Sequence, residues 1–161
     1  MLILTILIFL TVAYIVYLLH TNIVKNKVIP FSINKGMPVV SLWLQQKKFN
    51  FLIDSGATNS FLDEKVLDQI PLSVKNTKDK LKLVNGDKVS NLRSINQITL
   101  KKEYYIRNKK KWLTFRVQNV IVTKLDSVAD KDISGILGGD FLKYYDLQLD
   151  YKNKCIYNRF I

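Results

Sequence analysis

The chain contains very few of the residues on which many enzymes depend. Its 161 residues include one cysteine, Cys155, and one histidine, His20. A lone cysteine excludes an intrachain disulfide, and a lone histidine at the end of an apolar run excludes a Ser-His-Asp or Cys-His site. The same shortage excludes a metal centre built on histidines. We therefore expect neither a metal nor a cofactor.

Negative charge is also scarce, because 13 Asp and Glu stand against 25 Lys and Arg, a formal net charge of +12. The densest basic stretch, residues 101–112, interleaves lysines with aromatic residues, as nucleic-acid-binding proteins do. The flanking segments 97–100 and 112–117 are strand-like, so the lysines between them fit the solvated tip of a hairpin better. The pattern does not favour nucleic acid as a partner and leaves open a basic surface that faces an anionic membrane.

The first 19 residues carry no charged side chain. They are almost entirely apolar and have about the length that a helix needs to cross hydrocarbon. A secretory signal peptide would require basic residues before the run and a small-x-small cleavage site after it, and neither is present. Residues 1–19 are therefore predicted to be an uncleaved membrane span. Lys25 and Lys27 follow it, which by the positive-inside rule places the soluble domain in the cytoplasm.

Three parts are predicted along the chain. Residues 1–20 form a transmembrane anchor, residues 21–36 a juxtamembrane tether, and residues 37–161 one domain, for which this length is sufficient. In that domain the segments 38–44 and 49–53 alternate in part and are joined by a polar turn, which is typical of a hairpin. A second hairpin is predicted at Asn85-Gly86. The predicted fold class is mainly β.

Two motifs about 80 residues apart carry the chemistry. An apolar strand, residues 49–53, runs directly into Asp54-Ser55-Gly56-Ala57-Thr58, which is a way of holding an acid at a buried loop. The second motif is Ile136-Leu137-Gly138, another apolar run that breaks at glycine. Asp-Ser-Gly alone is equally typical of a surface turn after a strand. The two motifs together resemble the retroviral-type, or retropepsin-like, aspartic proteases.

The resemblance extends over residues 37–157 and implies both a fold and a site. The implied fold is a closed acid-protease β-barrel with short helices, here preceded by one N-terminal transmembrane helix. Asp54 is the implied catalytic residue, and the flap tip corresponds to Asn85 and Gly86. The implied supports of the active-site loop are Ser55, Gly56, Ala57, Thr58, Ile136, Leu137 and Gly138.

The chemistry of this family requires two carboxyls that share one proton, so that one activates water while the other polarises the peptide carbonyl. The chain has a single Asp-Ser-Gly, so the second Asp54 is expected from another copy related by twofold symmetry. We therefore predict a membrane-anchored, homodimeric aspartic endopeptidase that acts on a peptide or protein substrate. The alternative is a catalytically silent, membrane-tethered binding or scaffolding module on the same fold.

Overall fold

The computed structural model describes residues 2–25, 29–76, 81–82, 88–89, 92–106, 108–125 and 132–158. Strands dominate these residues, as the sequence predicts. The helices are α1 (Leu2–Lys25), a 3₁₀ helix (Glu64–Val66) and α2 (Gly139–Tyr144). The strands are β1 (Ile29–Pro30), β2 (Ser32–Asn34), β3 (Met37–Leu44), β4 (Lys47–Ile53), β5 (Phe61–Asp63), β6 (Lys75–Asn76), β7 (Leu81–Lys82), β8 (Lys88–Val89), β9 (Arg93–Ile106), β10 (Lys109–Thr123), β11 (Ile133–Leu137), β12 (Leu147–Asp150) and β13 (Cys155–Asn158).

Six strands close into a barrel in the order β3-β4-β11-β5-β10-β9. The ring closes because β9 returns to β3, where Trp43 pairs with Lys101 and Leu44 with Leu100. Two of the neighbouring strand pairs are parallel, β4 with β11 and β5 with β10, and the other pairs in the barrel are antiparallel. The predicted closed β-barrel is therefore confirmed.

Strand β4 is covered on both faces, which explains its unbroken apolar ending. Phe51 and Ile53 belong to the main core, whereas Leu52 packs in a second cluster with Val39 and Ile136. All three residues at the end of the strand are at most 3% exposed. Strands buried on both faces read as continuous apolar runs rather than alternating ones. The strand that leads to Asp54 is thus fixed on both sides.

A small second sheet has the order β1-β13-β12. Its first strand lies in the segment predicted to be a tether. Ile29 and Phe31 are buried, with only 2% and 6% of their surface exposed. The Phe31 N–H donates to the Lys154 carbonyl at 3.0 Å. Residues 29–34 therefore form strands that pack against the domain, because two apolar side chains in this segment find places in its core.

The structure corrects the predicted localisation. Crossing the hydrocarbon of a bilayer takes about 20 predominantly apolar residues in one helix. Among the residues that the structure describes, no helix is both long enough and apolar enough to do so. The prediction of a single-pass membrane protein with a membrane span at residues 1–19 is wrong on this criterion.

The basic stretch does not lie at a hairpin tip. The ladder between β9 and β10 extends from the pair Val122 and Arg93 to the pair Lys109 and Ile106. The lysines of residues 101–111 consequently stand in paired strands and not in a solvated loop. We call the outer part of this hairpin, residues 101–106 and 109–114, the basic arm.

Candidate active site

Asp54 stands immediately after β4, and the backbone around it is held at several points. The Asp54 N–H donates to the Leu137 carbonyl at 3.1 Å, and the Ala57 N–H donates to the Asp54 carbonyl at 3.2 Å. The Asp54 side chain is half-buried and its Oδ1 accepts a hydrogen bond of 2.9 Å from the Gly56 N–H. The carboxylate therefore has a fixed position at the edge of the barrel.

Gly56 allows this arrangement because it has no side chain. A Cβ at this position would lie 3.2 Å from Asp54 Oδ1, tighter than most Cβ contacts. The backbone can therefore approach the carboxylate and present its N–H to it.

Ile136-Leu137-Gly138 lies directly behind the Asp54 loop. Leu137 pairs with Ile53 in the parallel ladder between β11 and β4 and is 1% exposed. A Cβ on Gly138 would lie 2.4 Å from the carbonyl oxygen of Asn59 and 2.8 Å from that of Ala57. Only glycine fits there, since backbone oxygens cannot move aside as a flexible side chain can.

A second set of contacts joins the end of the Asp54 loop to α2. The Gly139 N–H donates to the Ala57 carbonyl at 2.7 Å, and the Asp140 N–H donates to the Thr58 carbonyl at 3.3 Å. The Asp140 carboxylate accepts from the Ser60 N–H at 2.9 Å and from the Ser60 hydroxyl at 2.7 Å. The Ser60 Oγ in turn accepts from the Gly138 N–H at 3.1 Å.

The sequence does not predict this Ser60–Asp140 clamp. From the local sequence, Asp140 is a typical residue of the first turn of a helix. Ser60 is a typical polar residue of a loop. The two are 80 positions apart, and Ser60 is fully buried. The available signal is that a buried hydroxyl needs a partner, but the identity of that partner follows only from the packing of α2 beside the loop.

The remaining predicted site residues are distributed around the loop. Ser55 and Thr58 are exposed in the single chain, and Ala57 is half-buried against the second core cluster. The predicted flap tip, Asn85 and Gly86, lies outside the described residues. The strands that flank it, β7 and β8, pair with each other in antiparallel fashion.

Other catalytic groups have weaker support. Cys155 is half-buried in β13, and its pKa is raised above the ordinary value by burial and, secondly, by the negative charge of Asp150. A raised pKa disfavours the thiolate that a nucleophilic cysteine requires. Within the part of the chain that the structure describes, no three His, Cys, Asp or Glu side chains cluster as a metal would require.

A cavity of about 210 Å³ adjoins the clamp and is lined by residues that include Asn59, Arg116, Asp140 and Tyr144. Asp54 does not line it. The cavity is therefore separate from the position at which Asp54 would meet a substrate.

A family model described as aspartyl protease matches residues 40–141, which include both motifs. The chain therefore belongs to the aspartyl protease family, and the resemblance read from the two motifs is confirmed. None of the curated proteins compared with the chain matches it.

Solved structures similar to the chain include a protease-like domain and a protease. One is the retroviral protease-like domain of Ddi1 from Leishmania major, with 20% identity, a TM-score of 0.48, and coverage of 78% of this chain and 90% of that one. The other is a retropepsin-like aspartic protease from Rickettsia conorii, with 17% identity, a TM-score of 0.48, and coverage of 81% of this chain and 87% of that one.

Proposed function

We propose that the chain is an aspartic endopeptidase in which Asp54 acts on the water that attacks a peptide bond. The observation that carries the proposal is the position of Asp54, held at the end of a doubly buried strand within a loop bonded to Leu137 and Gly139. A carboxylate whose position is fixed in this way can act as a general base without reorganising. Membership of the aspartyl protease family supports the same reaction.

The second carboxyl comes, in this proposal, from a second copy of the chain. One chain contributes a single Asp-Ser-Gly, and two Asp54 side chains related by a twofold axis would share one proton. Ser55, Gly56 and Thr58 are exposed in the single chain, so the surface of the loop is open to such a partner. The Ser55 hydroxyl would then brace the partner's loop.

Hydrolysis follows from the shared proton. The ionised Asp54 takes a proton from water while the protonated Asp54 of the other copy donates a hydrogen bond to the substrate carbonyl. The amide nitrogen receives a proton as the C–N bond breaks, and the dyad returns to its singly protonated state. The flap predicted at Asn85 and Gly86 would cover the substrate.

Replacing Asp54→Asn tests the catalytic assignment. The amide oxygen can still accept from the Gly56 N–H, so the fold is expected to persist, whereas the shared proton is lost. Cleavage of a peptide library at mildly acidic pH, followed by mass spectrometry, should fall by at least about a thousandfold. Equal cleavage by the two proteins would remove Asp54 from the mechanism and favour a binding module that does not cleave.

Mixing tests the origin of the second carboxyl. Excess Asp54→Asn chains should suppress wild-type activity, because most wild-type chains would pair with a chain that lacks the acid. A control with differently tagged chains must first show that copies exchange between dimers during the assay. Undiminished activity despite demonstrated exchange would contradict a dyad formed across two chains.

A further inference from the structure

The outer face of the basic arm contains an acid, Glu103, beside its two lysines, Lys101 and Lys110. Its Glu103 carboxylate is 2.7 Å from the Lys110 Nζ and accepts a 2.6 Å hydrogen bond from the Tyr105 hydroxyl. These two hydrogen bonds, that of Lys110 first, lower the pKa of Glu103. The Lys110 Nζ also lies 4.6 Å from the ring centroid of Trp112, and the Trp43 ring meets Trp112 at 6.0 Å and 89°. Glu103, Tyr105, Lys110 and Trp112 on this face therefore already have partners.

The inner face is different. Directly opposed residues of an antiparallel pair share a face, and successive residues alternate between faces. The row formed by Leu100 and Phe115 belongs to the buried core, and three further rows continue its face outward along the arm. These rows are Lys102 with Leu113, Tyr104 with Lys111, and the outermost pair of the ladder, which contains Lys109. Each row carries one lysine, and none carries an acid.

The three inner lysines form no ion pair within the described part of the chain. Neither ion pair found among those residues involves Lys102, Lys109 or Lys111. The pKa of Lys102 is lowered, first by burial and then by the positive charge of Lys48, and the negative charge of Glu103 opposes this shift only in part. Since burying a cation without a partner costs free energy, an anion placed at this face would relieve that cost.

Both edges of the arm also offer backbone groups. β9 pairs with β3 only at Leu100 and Lys101, and β10 pairs with β5 only from Ile121 to Thr123. Among the described residues, the outer parts of both strands therefore pair with each other alone. Unpaired strand edges present N–H and C=O groups that can bind an added extended strand.

We propose that the inner face of the basic arm binds an acidic, extended segment of the polypeptide substrate. Successive rows are two residues apart, about 6.8 Å along a strand, and acidic side chains at alternate positions of an extended peptide have the same spacing. The proposal rests on the proposed protease function, because an endopeptidase acts on polypeptide. It adds the class of substrate: chains with an acidic stretch outside the scissile bond.

Other occupants fit less well. A second copy of the chain would bring an equally basic arm, and like charges that face each other are unfavourable. A nucleic acid offers phosphates but no backbone amides to match the unpaired edges, and Trp112 already carries a lysine over its ring. An acidic peptide satisfies the lysines and the strand edges together.

Binding is measured with the full chain carrying Asp54→Asn, so that no peptide is cleaved and catalysis does not affect the result. The probes are fluorescent ten-residue peptides of alternating Glu and Ser, of alternating Lys and Ser, and of Ser alone. Fluorescence anisotropy should show binding of the Glu peptide alone, weakened by salt. The substitutions Lys102→Gln, Lys109→Gln and Lys111→Gln together should weaken that binding by about tenfold, since exposed charge pairs each contribute modestly.

A matched control removes the same charge elsewhere. Lys75, Lys143 and Lys152 are exposed and lie outside the arm, and changing all three to Gln should alter binding less than about twofold. Equal weakening by the two triple variants would overturn the proposal, because net charge alone would then explain binding. No binding of the Glu peptide would also overturn it, leaving the lysines as protection of strand edges against aggregation.

Two further probes identify a different partner class. A single-stranded oligonucleotide and vesicles containing phosphatidylserine are tested in the same way. Tighter binding of either one than of the Glu peptide, with the same dependence on the inner lysines, would overturn the proposal. The wild-type enzyme is assayed separately on peptides with and without the acidic stretch. Loss of all cleavage with intact peptide binding would contradict the protease function, while cleavage without such binding would contradict only the acidic docking surface.

Discussion

The Asp54 loop and the basic arm belong to the same barrel but differ in the interactions that matter most. Close packing and hydrogen bonds dominate in the loop, and exposed charge dominates in the arm. The loop is fixed by short hydrogen bonds to buried neighbours, with Ser60 fully buried and a Gly138 that has no room for a methyl group. The arm consists of two paired strands whose described side chains are mostly exposed and include five lysines but one acid. Geometry therefore limits substitution in the loop, and charge decides what the arm can bind.

The substitution Gly138→Ala tests most directly whether geometry limits substitution in the Asp54 loop. Gly138 has φ −90°, which any residue can adopt, so the penalty arises only from the Cβ contact of 2.4 Å with the Asn59 carbonyl oxygen. We expect a loss of about 3 kcal/mol in the free energy of unfolding, at the upper end for overpacking. Urea denaturation measures it.

Gly139→Ala is the matched control for that experiment. Its Cβ would lie 3.3 Å from the Ala57 carbonyl oxygen, and it begins α2, where alanine is favoured over glycine. The change should stay within about 1 kcal/mol of the wild type. Similar losses for both substitutions would mean that the loop tolerates movement, contrary to the fixed geometry described above.

The Ser60–Asp140 clamp is expected to have the next largest effect. Ser60→Ala leaves the buried Gly138 N–H without its acceptor, and Asp140→Asn turns an amide donor toward the Ser60 N–H. Each change should destabilise the protein by about 2 kcal/mol, the cost of an unsatisfied buried group. Calorimetry of the two single variants and the double variant measures this.

The double variant determines whether these residues act as one unit. Its loss should be smaller than the sum of the single losses, because Ser60 and Asp140 share their hydrogen bonds. Additive losses would show that the clamp is not cooperative and would weaken the contrast with the arm.

The arm should show much smaller effects on stability. Lys109→Gln and Lys111→Gln alter exposed side chains, so unfolding should change by less than about 0.5 kcal/mol. Thermal denaturation of the double variant measures the change. A loss as large as that of the clamp would show that the lysines stabilise the fold, and the arm would then be no separate binding surface.

The smallest expected effect concerns the charge within the arm. Lys48→Gln should raise the pKa of Lys102, because the positive charge of Lys48 is the second cause of its depression after burial. Since a depressed lysine pKa favours the neutral amine, the fraction of charged Lys102 at high pH should increase in the variant. NMR titration of the lysine ¹⁵Nζ resonance detects the shift, and an unchanged value would leave burial as the sole cause.

Local sequence predicted much of the fold. The hairpin at 38–44 and 49–53 appears as β3 (Met37–Leu44) and β4 (Lys47–Ile53), and the strand that precedes Gly138 appears as β11. Asp63 is a residue type that favours the start of a helix, and it caps a 3₁₀ helix by accepting from the Lys65 N–H at 2.9 Å. These elements depend on periodicity and on turn or capping residues, which neighbouring positions supply.

The errors occurred where distant parts of the chain meet. Residues 29–34 fall in the segment 21–36 that was predicted as a tether, and strand β1 in it pairs with β13 at the other end of the chain. The strand-like segment 112–117 is part of a much longer strand, because β10 continues through Asn119 at φ 52° while β9 pairs along its length. The error at the predicted membrane span is of another kind, since no described helix is both long enough and apolar enough to cross a membrane.

The sequence by itself determined the class of the protein, because Asp54 and the Ile136–Gly138 run form motifs that require no knowledge of their surroundings. Only the tertiary structure decided what holds the Asp54 loop. The carboxylate of Asp140 reaches Ser60 across 80 positions, and the two faces of the basic arm differ because the β9–β10 register puts Glu103 on one side and three lysines on the other. The physical reason is that hydrogen-bond partners and strand faces are properties of packed neighbours, and packing joins residues that local sequence cannot relate.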